Sequence, residues 1–229
     1  MSTLHVLVMA KAPRPGRVKT RLCPPCSPEE AAAVAEAALA DTLAAVADCG
    51  AARRVLALDG PPGPWLPPGF TVIAQRGATF NDRLAHAWAD AGGGGIQIGM
   101  DTPQVTAAEL DGLLTQVDGP ARRPAVLGPA LDGGWWVIGW SQAEPAAVFS
   151  GVPMSAATTG RAQATRLLAL GLDVMPAEAK QDIDTIDDLA TIAAAFPALR
   201  TAAVAQGLGT GASAAGGPAT VRRLAGALA

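Results

Sequence analysis

The chain has 229 residues with a formal net charge of −3, and half of its residues are hydrophobic. This length allows one large domain or two small ones with a sizeable core. An acidic chain argues against a nucleic-acid binder, which usually carries a basic surface. The apolar run at 4–10 has no basic segment before it, and no run is long enough to span a bilayer. We therefore expect a cytoplasmic protein that binds neither nucleic acid nor membrane.

The first apolar run, Leu4–Ala10, predicts a short buried strand. Two prolines and a glycine make residues 11–22 a loop rather than a helix. This loop contains five cations: Lys11, Arg14, Arg17, Lys19 and Arg21. Ligands of open α/β sheets bind beyond the carboxyl ends of the strands, and Lys and Arg suit phosphate. The loop is therefore predicted to hold the phosphates of a nucleotide. A solvated basic loop is the alternative.

Strands and helices are predicted to alternate after this loop. Ser27-Pro28-Glu29-Glu30 is typical of a helix start with a capping box, and the helix extends to about Ala47. Further strands are predicted at 53–59, 70–74, 96–100, 125–128 and 172–176, and further helices at 80–91, 107–117, 159–170, 185–195 and 198–205. This alternation indicates a parallel, three-layer α/β domain over 1–206. Residues 207–229 read as a flexible Gly/Ala-rich tail.

Two familiar nucleotide-binding fingerprints are missing from the chain. The first turn lacks Gly-x-Gly-x-x-Gly, and no Walker A sequence occurs. A classical dehydrogenase or P-loop enzyme is therefore not expected. Cys23 and Cys26 have redox spacing, but they follow a basic loop, and free thiols are the preferred interpretation.

Asp101 follows the apolar strand at 96–100 and precedes Pro103. This position puts its carboxylate at the same sheet edge as the basic loop. A carboxylate that faces a polyphosphate needs a cation between them, and Mg²⁺ binds through one or two carboxylates plus phosphate oxygens. Asp101 is therefore predicted as a metal ligand, although it could merely begin a turn.

A second acidic group lies at a predicted strand-to-helix junction and comprises Asp182, Asp184, Asp187 and Asp188. Some of these must be cap and first-turn charges, which is the alternative for all four. Asp182 and Asp184 share one face of an extended stretch, and Asp184 is favoured as the second metal ligand.

The stretch Asp132-Gly133-Gly134-Trp135 lies between two apolar runs, which predicts a hairpin or a bend that leaves the parallel order. Glycines let a backbone approach a bound molecule closely, and Trp135 offers a flat apolar wall. These four residues are predicted to bind an acceptor, and a plain turn is the alternative.

These motifs resemble the DUF2064 family over roughly residues 4–196. The matching stretches are 8–22, 99–103 and 127–136. The resemblance implies a nucleotide-diphospho-sugar transferase or glycosyltransferase-like protein of the GT-A type, with a three-layer α/β/α domain and a mostly parallel mixed sheet.

The chain is more distantly similar to small nucleotidyltransferases, including phospholactate and phosphoenolpyruvate guanylyltransferases. Their Lys-Ser/Thr-Arg-Leu loop is similar to 19–22, and their base-contacting Leu-Asn is similar to Phe80-Asn81. Their Asp-x-Asp-Thr-x-x-Asp-Leu is similar to 182–189 and implies Asp184 as a metal ligand. The chain departs from them at 132–135, which leaves the acceptor open.

The leading hypothesis is a transferase that uses Mg²⁺ or Mn²⁺, with a nucleoside triphosphate or nucleotide-sugar as donor and a small molecule as acceptor. The catalytic residues would be Lys19, Arg21 and Asp101, with Asp101 and Asp184 on the metal. Donor-binding residues would be Ala10, Lys11, Gly16, Lys19, Arg21, Gln75, Gly77, Asn81 and Arg83. Glycosyl and nucleotidyl transfer both fit, and the protein would be a monomer or homodimer. The rival hypothesis is a nucleotide-binding or partner-docking domain without turnover.

Overall fold

A computed structural model of the chain describes residues 3–211. Its central sheet has seven strands in the order β3-β2-β1-β4-β6-β5-β7. The strands are β1 (His5–Lys11), β2 (Arg53–Asp59), β3 (Thr71–Ala74), β4 (Gly95–Gly99), β5 (Pro124–Pro129), β6 (Trp135–Trp140) and β7 (Asp173–Pro176). Neighbouring strands are parallel except that β6 is antiparallel to both β4 and β5. The predicted three-layer α/β fold with a mostly parallel mixed sheet is confirmed.

Helices cover both faces of this sheet. They are α1 (Pro28–Asp48), α2 (Phe80–Ala91), α3 (Ala107–Val117), α4 (Pro145–Phe149), α5 (Thr159–Ala169), α6 (Ile186–Ala195) and α7 (Arg200–Gly211). Among these described helices, α1, α2, α3 and α6 begin at capping boxes, in which a Ser or Thr side chain and an acidic residue three positions later exchange hydrogen bonds. None of the described helices is both long and apolar enough to cross a membrane.

Three apolar clusters hold these layers together. One cluster packs α1 and α3 against the sheet, around Val8 and Leu39. A second packs α2, α4 and α5 against the opposite face, around Leu7 and Trp88. Alternate residues of β1 thus serve opposite faces, as expected for a strand buried on both sides. The third cluster seats α6 and α7 on the outer side of α1.

The Asp-Gly-Gly stretch forms a hairpin between β5 and β6, which is one of the two shapes predicted for it. The amide of Ala130 donates to the carbonyl of Gly134 at 3.1 Å, and the amide of Gly133 donates back to the carbonyl of Ala130 at 3.1 Å. Because β6 runs against its neighbours, it begins at the edge where they end. Trp135, its first residue, therefore stands at the carboxyl edge of the parallel strands.

Helix α7 extends further than the sequence predicts. It continues to Gly211, although the tail was expected from Gly207 onward. Its start is held by the buried Asp41 of α1, whose carboxylate accepts bonds from the amides of Arg200 at 3.1 Å and Thr201 at 2.9 Å. These bonds cap the start of α7, and the helix continues through a Gly-containing segment of low intrinsic propensity. The rest of the predicted tail, 212–229, lies outside the described residues.

Candidate functional site

The carboxyl ends of the parallel strands bring the predicted site segments together. The basic loop follows β1, Asp101 follows β4, and the Asp132 loop follows β5. The ends of β1 and β4 are in direct contact, because the amide of Lys11 donates to the sulfur of Met100 at 3.3 Å. A sheet edge of this kind is where doubly wound α/β folds place their ligands.

Lys19 lies between the segments that follow β4 and β7. Its ammonium is 2.5 Å from Oδ1 of Asp101, and it also donates to the carbonyl of Ile183. The side chain of Lys19 is only 6% exposed, and its backbone is in the left-handed region with φ of 48°. Such a conformation is costly for a residue with a side chain, and it persists where the surroundings demand it. The fold therefore fixes this cation beside the predicted metal carboxylate.

The segment around Ile183 runs alongside the turn that begins at Asp101. The amide of Ile183 donates to the carbonyl of Asp101 at 2.9 Å. The hydroxyl of Thr102, a buried residue, donates to Oδ1 of Asp182 at 2.8 Å. These bonds place Asp182 next to Asp101. The sequence patterns instead favour Asp184 as the second metal carboxylate.

The carboxyl of Asp182 has a pKa raised to about 6. Burial is the main cause, because desolvation penalises the charged form. The bond from Thr102 opposes this shift, the charges of Asp101 and Asp132 add to it, and the charge of Lys19 opposes it. Three carboxyl groups and one ammonium therefore influence each other across the ends of β4, β5 and β7.

Asp184 is held by the basic loop from the other side. Nη1 of Arg21 is 2.7 Å from Oδ2 of Asp184, and the two side chains are 71% and 39% exposed. Each predicted metal carboxylate thus uses one oxygen in an ion pair with this loop. Oδ2 of Asp101 and Oδ1 of Asp184 have no bonding partner among residues 3–211.

The oxygens of Asp101 and Asp184 suit a hard divalent cation that also takes phosphate oxygens. No group of three or more His, Cys, Asp or Glu side chains within the described part of the chain is arranged to hold a metal ion. The residues thus fit a cation that substrate phosphates help to bind, and they do not form an all-protein cage.

The residues predicted near the base have structural bonds of their own. The side-chain amide of Gln75 donates to the carbonyls of Ala10 at 2.8 Å and Ala57 at 2.9 Å, which ties the ends of β1 and β2. The side-chain amide of Asn81 donates to the carbonyls of Phe149 at 2.6 Å and Val152 at 2.9 Å, which fastens α4 to α2. The amide nitrogens of both residues are therefore engaged, and contact with a base stays a prediction for them.

The other two residues predicted near the base lie close to Gln75. Gly77 lies between β3 and α2, directly beside the first turn of that helix. Nη1 of Arg83 is 3.4 Å from Oδ2 of Asp59, at the end of β2. Arg83 therefore stands at the carboxyl edge of the sheet, on the β2 side of the basic loop.

The predicted acceptor residues form the tip of the β5–β6 hairpin. Oδ1 of Asp132 accepts a bond from the amide of Gly134 at 2.7 Å, which shapes the turn. A Cβ at Gly133 would lie 2.2 Å from the carbonyl oxygen of Ala157, so glycine is required there by packing against the start of α5. Asp132 is exposed and Trp135 half-buried, so both are accessible at this edge. Their acceptor role stays a prediction.

Lys180 also supports this edge, although no sequence motif marks it. Its ammonium is 2.6 Å from Oε1 of Glu109 and lies 5.2 Å from the ring centroid of Trp136. Its backbone bonds to Pro129 and Leu131 at the tip of the hairpin. Lys180 lies between a predicted strand and a predicted helix, so no periodic pattern in the sequence indicates its contacts with Glu109 and Trp136.

The cysteine pair does not form a disulfide, since Cys23 and Cys26 are both free thiols. Burial raises the pKa of the Cys26 thiol to about 11, with smaller contributions from Glu30 and Cys23. A thiol of that kind is a poor nucleophile at neutral pH. This agrees with the preferred interpretation of structural thiols.

Comparison with solved structures confirms the fold. A proposed nucleotide-diphospho-sugar transferase from Desulfovibrio desulfuricans G20 superposes with a TM-score of 0.78 at 24% identity, over 90% of this chain and 95% of that one. A CMP:2-keto-3-deoxy-manno-octonic acid synthetase, solved with CTP, has a TM-score of 0.50 at 16% identity, over 90% of this chain and 100% of that one. Rv0371c from Mycobacterium tuberculosis H37Rv has a TM-score of 0.50 at 18% identity, over 83% and 97%.

No curated protein matches the chain. The sequence model of one family, described as uncharacterized protein conserved in bacteria (DUF2064), matches residues 31–156. The matched segment includes Asp101 and the Asp132 hairpin and begins after the basic loop. It spans more than half of the 229 residues, and the chain therefore belongs to the DUF2064 family.

Proposed function

We propose that this protein is a metal-dependent transferase that binds a nucleoside triphosphate or a nucleotide-sugar at the carboxyl edge of its sheet. It transfers a nucleotidyl or glycosyl group from that donor to a small-molecule acceptor. The observation that carries the proposal is the position of Lys19, which is fixed between Asp101 and the Ile183 carbonyl where β1 and β4 end. A cation and a carboxylate held together at this edge match the needs of a charged phosphate donor.

In this proposal each part of the site has a distinct task. The basic loop binds the phosphates of the donor, and Lys19 with Arg21 neutralises charge that develops on the transferred or leaving phosphate. Residues from Gln75 to Arg83 lie near the base. Asp132 and Trp135 receive the acceptor at the tip of the hairpin, which shares the edge with Asp101. Catalysis of this kind depends mostly on positioning and electrostatics.

Asp101 and Asp184 would hold the metal, Mg²⁺ or Mn²⁺. When bound, such an ion would supply positive charge that offsets the negative charge of the donor phosphates. The carboxylate oxygens that lack a bond within residues 3–211 support this assignment. The ion pairs with Lys19 and Arg21 keep both carboxylates in place before a metal arrives.

The same ion pairs favour a second candidate, a nucleotide-binding domain without turnover. Asp101 and Asp184 are each neutralised by a cation of the chain itself. A site whose carboxylates are already paired has less need of a metal, and it would bind a nucleotide equally well with or without one. Metal dependence therefore separates the two candidates.

The test is a thermal-shift panel of nucleoside triphosphates and of UDP-, GDP- and dTDP-sugars, each with and without Mg²⁺ and Mn²⁺. A molecule that binds only the folded state stabilises it by about 2.7 kcal/mol at a concentration 100-fold above Kd. We expect one donor class to raise Tm in the presence of metal, and Asp101→Asn to abolish the metal-dependent part.

Asp48→Asn is the matched control, because Asp48 is exposed at the end of α1, away from the carboxyl edge. It should keep the full metal-dependent shift. A shift that is the same without metal would support the binding domain instead. The absence of a shift with every nucleotide would contradict both candidates.

A further inference from the structure

The five cations of the basic loop divide into two groups by their partners. Lys19 and Arg21 are engaged by Asp101 and Asp184. Lys11, Arg14 and Arg17 are exposed, and no ion pair or side-chain hydrogen bond joins them to any residue within 3–211. The acidic chain has 20 Asp and Glu residues, so the three cations are not unpaired for lack of carboxylates.

A tight turn holds two of these free cations close together. The amide of Arg17 donates to the carbonyl of Arg14 at 3.0 Å. Pro15 and Gly16 are the two central residues, and Gly16 has φ of 71°, as expected for a type II turn with Pro first and Gly second. The first and last Cα atoms of such a turn lie within about 7 Å. The two guanidinium groups therefore extend from adjacent backbone positions.

Buried residues hold the turn at 14–17 on both sides, and no other residue in the described part of the chain packs over its tip at Gly16. Ala12 and Val18, which flank it, are buried in the core cluster, and the amide of Ala12 donates to the carbonyl of Asp59 at 2.9 Å. No heavy atom lies within 4 Å of the position that a Cβ on Gly16 would take. An ordered turn with free space over its tip suits a bound group better than it suits packing within the chain.

We infer that Arg14 and Arg17 bind the terminal phosphate of the donor, which makes the donor a nucleoside triphosphate rather than a nucleotide-sugar. This rests on the proposed function, because it deepens the assignment of the same site. A guanidinium recognises phosphate by two parallel hydrogen bonds, and a terminal phosphate offers three free oxygens to two such forks. In a nucleotide-sugar, the outer phosphate carries the sugar and has fewer free oxygens.

The distribution of charge favours the same choice. Lys19 and Arg21 are already neutralised in part by Asp101 and Asp184, whereas Lys11, Arg14 and Arg17 bring full positive charge to the beginning of the loop. A triphosphate carries more negative charge than the diphosphate bridge of a nucleotide-sugar, and it compensates more of this surplus. A nucleotidyl transfer follows: the acceptor oxygen bonds to the α-phosphorus, and the bond from that phosphorus to the bridging oxygen breaks. The electron pair of the broken bond leaves on pyrophosphate, and the proton of a hydroxyl acceptor passes to solvent.

Isothermal titration with phosphate probes tests this inference. The probes are GTP, CTP and UTP, the corresponding diphosphates, UDP-glucose, and inorganic tripolyphosphate and pyrophosphate as base-free probes. The wild type should bind at least one triphosphate more tightly than its diphosphate, and tripolyphosphate more tightly than pyrophosphate. In the double variant Arg14→Gln/Arg17→Gln the affinity for the triphosphates should fall about 10-fold or more, while that for the diphosphates should change little.

Arg122→Gln is the matched control, because Arg122 is an exposed arginine just before β5, at the opposite edge of the sheet. It should retain the preference for triphosphates. Tighter binding of UDP-glucose than of UTP, or a preference for triphosphates that survives in the double variant, would overturn the inference and leave the proposed function intact. If no nucleotide binds the wild type, the proposed function fails first. Circular dichroism and Tm will show that the variants fold, since both side chains lie on the surface.

Discussion

Ionisable groups at the two ends of strand β1 lie in opposite surroundings, buried at the amino end and accessible at the carboxyl end. At its first residue, His5 is fully buried, and the neighbouring Arg53 directs its guanidinium to the carbonyls of Ala91 at 2.6 Å and Gly92 at 2.5 Å. From its last residue, Lys11, onward, the basic loop has three cations without an ion-pair partner within residues 3–211, and its other two cations pair with half-exposed carboxylates. Burial at the amino end keeps His5 uncharged, whereas the carboxyl end keeps its charges accessible.

This contrast separates the polar groups that stabilise the fold from those that are accessible to a ligand. The pKa of His5 is lowered to about 4, mainly by burial and also by the charge of Arg53, while a backbone bond to Gly92 opposes the shift. The ring packs edge-on against Trp88 with centroids 4.9 Å apart, and Trp88 stacks on Trp140 at 3.6 Å. This end belongs to the aromatic core.

Replacing Lys19 with Met should have the largest combined effect, on folding stability and on donor affinity, because it removes a nearly buried cation while Asp101 stays. The lost charged hydrogen bonds cost about 2 kcal/mol of folding stability and about 100-fold in donor affinity. Urea unfolding and isothermal titration with the nucleotide selected by the thermal-shift panel measure the two effects. If Lys19→Met kept full donor affinity, the charged edge would be a structural feature like the His5 end.

Acid should destabilise the amino end through His5. The folded pKa of about 4 lies below the ordinary value of 6.5, so the unfolded chain takes up the proton first as pH falls. Stability is therefore lost progressively between about pH 6.5 and 4, by at most about 3 kcal/mol. Urea unfolding at pH 7, 5.5 and 4 should show a smaller acid loss for His5→Gln than for the wild type. His86→Gln keeps His5 and should follow the wild type; equal slopes for His5→Gln and wild type would contradict this account.

The carboxyl end should respond to acid with the opposite sign. The folded pKa of Asp182, about 6, lies above its ordinary value of 3.8, so the folded state takes up the proton first. In metal-free buffer this carboxyl destabilises the protein at pH 7, by at most about 3 kcal/mol, and the penalty disappears as pH falls from about 6 to 3.8.

Asp182→Asn should therefore be more stable than the wild type at pH 7, and it should lose this advantage in acid. Urea unfolding with a chelator present measures the effect, and Asp187→Asn, on the exposed first turn of α6, is the control. A variant no more stable than the wild type at pH 7 would mean that Asp182 is well solvated.

The smallest effect is expected for Arg21→Gln. The Arg21–Asp184 pair is exposed, and pairs of that kind contribute less than about 1 kcal/mol. Its loss of stability should be clearly smaller than that of Lys19→Met in the same urea titration. Equal losses would show that exposure does not distinguish the two ion pairs.

Local patterns predicted the elements that depend on local chemistry. The predicted capping box at Ser27 marks a helix start in the structure, and the predicted apolar runs form the core strands. The placement of β6 between β4 and β5 could not be predicted from local patterns, because strand order depends on the packing of the whole sheet. Helix α4 was missed because five residues are too few for a periodic signal.

The sequence predicts that the segments of the site lie at one edge of the sheet, but it does not predict how their side chains pair. Strand polarity alone brings the basic loop and Asp101 together. Which cation meets which carboxylate depends on contacts between distant segments, since Lys19 and Ile183 are 164 positions apart. For the same reason, the position of Asp182 beside Asp101 could not be read from the spacing of the acidic cluster. The assignment of Asp184 to the metal stays a prediction.

Backbone amide NMR shifts can show directly whether the nucleotide binds at the carboxyl edge of the sheet. The shifts are mapped during titration with the triphosphate that binds best, in the presence of Mg²⁺. We expect the largest changes at Lys11–Arg21, Asp101 and Asp182–Asp184, with little change at His5 and Arg53 at the other end of the same sheet. Changes confined to the amino ends of the parallel strands, around His5, Arg53 and Arg122, would contradict the assignment of the nucleotide site to the carboxyl edge.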